Sequence, residues 1–176
     1  MLDNTIYKED VVENYKIVTP EAIEEALKTG KLKQTIFGTG CFWSPDSNFG
    51  GRPGVVQTRV GYAGASTLEP SYRDIKGHAE VVRVVYDSDQ ISYRELLGNF
   101  ESWIVHDRKQ GQYRQILFVF DREQKQVAEE LIQAIGKENA PEVIEVGEQN
   151  GTFWDGEDYH QKYRLRRNKT LVSLAE

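Results

Sequence analysis

Cysteine is nearly absent: Cys41 is the only one among 176 residues, so no disulfide can form within the chain. No apolar run approaches the roughly 20 residues a membrane-crossing helix needs. The opening Leu2-Asp3-Asn4-Thr5 has neither the basic start nor the apolar stretch of a secretory leader. These absences predict a cytoplasmic protein with no membrane partner. The histidines, acids and lone cysteine show no metal-ligand spacing, and the glycines around 38–40 lack the Gly-Lys-Ser/Thr ending of a phosphate loop. Internal repeats and low-complexity tracts are missing too. Positive charge is the minority sign: 22 Lys and Arg against 28 Asp and Glu give a net charge of −6 and a pI near 5.2. On so acidic a chain the one basic cluster, Arg164-Leu165-Arg166-Arg167-Asn168-Lys169, reads as a solvated face, and no nucleic-acid partner is expected.

What is present, 39% hydrophobic and 28% charged residues, suits one globular domain over residues 1–176. Residues 1–18 read as an extended arm. Thr19 caps a helix with Pro20 in its first turn, an apolar stripe of Ile23, Ala26 and Leu27, and Gly30 at its end. A strand over 34–38 leads to a helix over 45–49, for which Ser44, Pro45 and Asp46 supply an N-cap, a first-turn proline and a first-turn acid. Val56, Thr58 and Val60 alternate as in a half-buried strand that runs into a tight turn, Gly61-Tyr62-Ala63-Gly64. After a loop over 65–78, Ala79–Tyr86 is β-branched enough for a central strand.

Ser92 and Glu95 form a capping box for a helix whose apolar face includes Leu96, Leu97, Phe100, Trp103 and Ile104. A polar connection from His106 to Gln112 precedes a strand over Tyr113–Phe120. Asp121 and Gly136 bracket a further helix, Glu142–Val146 is the last strand, and residues 153–163 fold back as loop and short helix. This irregular alternation predicts a two-layer α/β sandwich with a mixed β-sheet packed by helices.

Cys41 falls where a strand hands over to a helix, and exposed N–H groups with the positive end of the helix dipole favour a thiolate there. The alternative is a small buried hydrophobe. Glu80, at a strand start flanked by valines, is a candidate general acid with a raised pKa, or else a solvent-facing strand-end acid. Tyr62 and Tyr113 can each donate one hydrogen bond to a polarised oxygen, or be packed aromatics with hydroxyls in water. Phe42 and Trp43 offer a slot for a small alkyl group, or are core. A Cys–His dyad with His78, His106 or His160 has no local pattern behind it.

Assembled in order, these residues resemble the peptide methionine sulfoxide reductase A family. The resemblance runs over residues 34–165. It rests on Gly40-Cys41-Phe42-Trp43, Thr58-Arg59-Val60-Gly61-Tyr62-Ala63-Gly64, Pro70-Ser71-Tyr72-Arg73, Gly77-His78-Ala79-Glu80-Val81-Val82, Ile91-Ser92-Tyr93, Gln112-Tyr113-Arg114 and Glu157-Asp158-Tyr159-His160-Gln161-Lys162-Tyr163. It implies a catalytic core over 34–165 with a ferredoxin-like sheet, an N-terminal extension over 1–33 with one helix, and a C-terminal tail over 166–176. It also implies a reaction: reduction of the S epimer of methionine sulfoxide, free or in peptides, through a sulfenic acid on Cys41. In that reading Glu80 protonates the sulfoxide oxygen, the hydroxyls of Tyr62 and Tyr113 hold it, and Phe42 and Trp43 pack the S-methyl group.

Four departures stand out. Ser44-Pro45-Asp46 replaces the family's usual glycine after the Trp and a Glu two residues on. The segment from His106 to Tyr113 is short, which leaves Asp107 as the nearest equivalent of an aspartate that holds the substrate backbone. The glycine-rich tail that carries recycling cysteines in many members is missing, so the sulfenic acid needs an external thiol and no bound cofactor: thioredoxin, or glutathione with glutaredoxin. Residues 1–33 have no counterpart in these motifs. Two competing readings are a redox sensor or methionine-sulfoxide-binding protein with little turnover, and a cysteine hydrolase using His160 or His106.

Overall fold

The computed structural model describes residues 19–102, 110–147 and 152–167. In chain order the elements are α1 (Pro20–Lys28), β1 (Lys33–Thr39), α2 (Trp43–Gly50), β2 (Val55–Ala63), β3 (Ala79–Tyr86), α3 (Tyr93–Glu101), β4 (Gln115–Val119), α4 (Arg122–Ile135), β5 (Glu142–Glu145), β6 (Trp154–Asp155) and α5 (Tyr163–Arg167). Val81, Val82, Val84 and Val85 put branched side chains on both faces of β3, and β3 lies inside the sheet, as such a strand must. The six strands run β5-β4-β1-β3-β2-β6. All pairs are antiparallel except β4 with β5, which makes the sheet mixed.

Alternation along the strands sorts the core by face. Phe37, Val82, Val84, Tyr86 and Leu117 face α2, α3 and α4, where the Phe37 ring stacks on Phe49 at 5.0 Å and on Phe100 at 5.2 Å. On the reverse face Ile36, Val81, Ile116 and Phe118 cluster, and α1 lays Ile23 and Ala26 over Val56 and Val85. Helix ends follow the expected local chemistry at Thr19, at the Ser92–Glu95 capping box and at Asp121.

Several local expectations give way to tertiary contacts. Helix α2 begins at Trp43, with Phe42 as an N-cap that has no side-chain hydrogen bond, so Ser44 is not its cap. The reason lies across the sheet: the Phe42 N–H donates to the Glu80 carboxyl, which caps the helix from outside. Tyr62 is not in a tight turn. β2 continues through Ala63 because β6, missed in the sequence, pairs with Gly61 and Tyr62. Gly61 permits that approach, since a Cβ there would meet the Trp154 carbonyl at 2.1 Å. β2 is buried on both faces rather than one. Tyr113 does not open a strand but sits in a turn ahead of β4, and β5 ends at Glu145. Trp103, Ile104, His106 and Asp107 lie outside the described residues.

The tail returns across α2 and β2, as expected, and buried polar groups fasten it. The Gln161 side chain acts as a strand partner for Val60, accepting its N–H at 3.0 Å and donating to its carbonyl at 2.8 Å. Lys162 is 4% exposed, and its ammonium donates to Asp46 Oδ1 at 2.6 Å and to the Thr58 carbonyl and hydroxyl. The Thr58 hydroxyl passes its own hydrogen to Asp46. Removing one partner of a buried ion pair strands the other without compensation, at about 3–5 kcal/mol. Lys162→Met should therefore lower the unfolding free energy in a urea titration by about 3–5 kcal/mol; a loss below about 1 kcal/mol would contradict this role.

Candidate active site

β1 ends at Thr39, and Gly40 turns the chain with a φ of +98°, a left-handed conformation that glycine adopts freely. Cys41 emerges there exposed to solvent, which rules out its reading as a core filler. The next residue faces inward: Phe42 is buried with Val60 and Tyr62, its ring 6.0 Å from that of Tyr62.

Glu80 enters at the start of β3, directly opposite Tyr62 of β2 in the antiparallel register, so both side chains project from one face. It is not a solvent-facing acid, being only 1% exposed. Its Oε2 accepts the Phe42 N–H at 3.1 Å and its Oε1 accepts the Gln112 side-chain amide at 2.6 Å. Burial raises the Glu80 pKa; those two hydrogen bonds work against the rise without cancelling it.

The two phenols differ. Tyr62 is fully buried, and its hydroxyl donates to Glu157 Oε2 at 2.7 Å. Burial first, then Glu157, push its pKa well above the ordinary value. Burial alone would raise Glu157, but hydrogen bonds from the Tyr72 N–H, at 2.9 Å, and from Tyr62 outweigh it, so the Glu157 pKa is lowered. Tyr113 is 43% exposed. Partial burial raises its phenol pKa, and Glu80, Tyr72 and Cys41 all lie close enough to add to the rise.

Trp43 stacks on Tyr163 at 3.8 Å and donates its indole N–H to His160 Nδ1 at 3.2 Å. That bond leaves the His160 hydrogen on Nε2, 3.9 Å from Glu157 Oε2. Burial lowers the His160 pKa, which keeps the ring neutral. His78 is buried with Nε2 against the Thr67 carbonyl at 2.9 Å. Among the described residues no hydrogen bond joins Cys41 to a histidine. Arg114 pins the surrounding loops: its guanidinium donates to the carbonyls of Gly64, Gly77 and Gly111 at 2.8, 3.1 and 3.3 Å.

The structure thus gathers Cys41, Phe42, Trp43, Tyr62, Glu80 and Tyr113 at one end of the sheet. It adds Gln112, Glu157 and His160, to which the sequence reading assigned no place beside Glu80, Tyr62 and Trp43. For Gln112 and Glu157 the only signal is membership of the 112–114 and 157–163 motifs; His160 also stands as a dyad candidate, but it meets Trp43 instead. The arrangement supplies an accessible sulfur, a buried acid held by neutral donors and an aromatic wall, which is equipment for nucleophilic attack on an atom whose oxygen is protonated as it leaves.

A sequence model of the peptide methionine sulfoxide reductase family matches residues 33–175. The chain belongs to that family. A relative named peptide methionine sulfoxide reductase MsrA from Methanoculleus marisnigri is 42% identical over 153 residues, spanning 77% of this chain and 91% of that protein. Another of that name, from Deinococcus radiodurans, is 41% identical over 147 residues, 74% of this chain and 70% of that one. Methionine sulfoxide reductase A of Corynebacterium diphtheriae has the same fold, with a TM-score of 0.63 at 29% identity over 78% of this chain and 76% of that chain. The family match begins at Lys33, the first residue of β1, and so takes in every described residue of the site. No described helix is long and apolar enough to cross a membrane.

Among the described residues Glu80 meets neutral donors and no cation, and a buried acid so placed leaves a mark on stability. Because the folded-state pKa of Glu80 is raised, its contribution is fully present below the ordinary carboxylate range and is lost as pH rises through the folded value. Glu80→Gln should therefore gain on the wild type in denaturation midpoint between pH 4 and pH 8, a gap unchanged across that range counting against the raised pKa.

Proposed function

We propose that the protein reduces the S epimer of methionine sulfoxide, free or in peptides, to methionine, and that Cys41 carries the reaction. The 3.1 Å hydrogen bond from the Phe42 N–H to Glu80 carries this reading, because it holds the acid one residue from the nucleophile. Family membership supplies the substrate class.

In this reading the Cys41 thiolate attacks the sulfoxide sulfur while Glu80 gives its proton to the sulfoxide oxygen. A protonated oxygen withdraws electrons from sulfur, and burial, by raising the Glu80 pKa, favours the form that has this proton to give. The oxygen passes to Cys41 as a sulfenic acid. Cys41 sulfur is thereby oxidised by two electrons and the substrate sulfur reduced by two. Tyr113 offers its hydroxyl to the oxygen from the solvent side. Tyr62 does so from within by turning its hydrogen away from Glu157. Phe42 and Trp43 pack the S-methyl group, and Asp107, in the short connection before Gln112, holds the substrate backbone.

Two external thiols then return Cys41 to the thiol, yielding one disulfide and one water. Thioredoxin, or glutathione with glutaredoxin, supplies them, which suits the reducing cytoplasm.

Incubated with dithiothreitol, the protein should release methionine from the S sulfoxide and none from the R form. Cys41→Ser should abolish that release, and Glu80→Gln should slow it by about 10²–10⁴-fold with an unchanged circular dichroism spectrum; no methionine from the S form would end the proposal. Without reductant, one equivalent of methionine per chain should appear together with one label from a sulfenic-acid-selective probe. A mass spectrum showing Cys41 linked within the chain would contradict that stoichiometry.

A further inference from the structure

We infer that Gln112 is a positioning residue for the acid: its side-chain amide, with the Phe42 N–H, holds the Glu80 carboxylate that appears once the proton has moved to the sulfoxide oxygen. The inference rests on the proposed function above. Gln112 meets Glu80 twice, through its side-chain amide on Oε1 at 2.6 Å and through its carbonyl, which accepts the Glu80 N–H at 2.9 Å. The residue cannot drift. It lies in the turn between Gly111 and Arg114, closed by the Arg114 N–H on the Gly111 carbonyl at 3.2 Å and clasped by the Arg114 guanidinium.

The chemistry explains why an amide suits this position. A hydrogen bond to a carboxylate is roughly twice as strong as one to a neutral carboxyl, so the Gln112 donor strengthens as the proton departs. An interaction stronger in the transition state than before it accelerates the step. A lysine at the same distance would hold Glu80 ionised and strip it of the proton it must deliver; an apolar side chain would leave the new charge unsupported. A neutral donor avoids both faults. Its opposition to the effect of burial on Glu80 has the sign this role demands.

The test is single-turnover methionine release from the S sulfoxide, with protein in excess, followed from pH 5 to pH 10 for wild type, Gln112→Met and Gln112→Glu. Loss of the donor disfavours the ionised form of Glu80, so in Gln112→Met the descending limb should move up by about one pH unit while the plateau falls about tenfold. Gln112→Glu, near in shape and able to answer if the Met variant does not fold, should move the limb further because two adjacent carboxyls share a proton. A limb that stays in place while the rate falls equally at every pH overturns the inference and leaves the proposed function standing. No release by the wild type, or a Glu80→Gln profile identical to the wild type, overturns this inference together with the function or the acid role beneath it.

Discussion

The hydrogen bond between the Phe42 N–H and the Glu80 carboxyl is the constraint on which the rest depends. It ties the end of β1 to the start of β3, caps α2 from outside, and fixes the point at which Cys41 leaves the sheet. A carboxyl taken out of water costs several kcal/mol if it stays charged, and that cost raises the Glu80 pKa. In the proposed reaction the same burial favours the form of Glu80 that has a proton to give.

A second buried acid nearby is handled in the opposite way. Asp46 receives the Lys162 ammonium at 2.6 Å and the Thr58 hydroxyl, while the acceptors of Glu80 are met by two neutral amides. Asp46 is thus held by a cation as a fastening, whereas Glu80 is held by neutral donors alone among the described residues, which suits the acid of the proposed reaction. The types of the neighbouring side chains separate the two tasks more sharply than depth does, since both acids are about equally buried.

Much of the scaffold could be read from local pattern. β3 was visible as a run of valines, the Ser92–Glu95 box and Asp121 marked their helices, and the cysteine at a strand-to-helix junction marked the end of the sheet where the candidate site gathers. The start of α2 was not readable, because its cap comes from Glu80 at a separation of 38 residues rather than from Ser44. Tyr62 looked like part of a turn since Gly61 and Gly64 flank it, but Gly61 is small for the sake of the β6 backbone. Gln112, Glu157 and Lys162 are long polar side chains of the kind that ordinarily face water, and only contacts spanning 32, 95 and 116 residues show them turned inward. Periodicity reports which face of an element is buried; it carries no information about a partner so far along the chain.

The return of the tail has a consequence for the gene. Gly156, Glu157, Gln161 and Lys162 respectively meet the Val60 carbonyl, the Tyr62 hydroxyl, the edge of β2 and the charge of Asp46. A frameshift or early stop just ahead of them would erase all four at once, although the codons for the sulfur and the acid lie upstream and would still be translated. The codons for Cys41 and Glu80 come first, and those for residues 156–162 decide whether the pocket around them has walls.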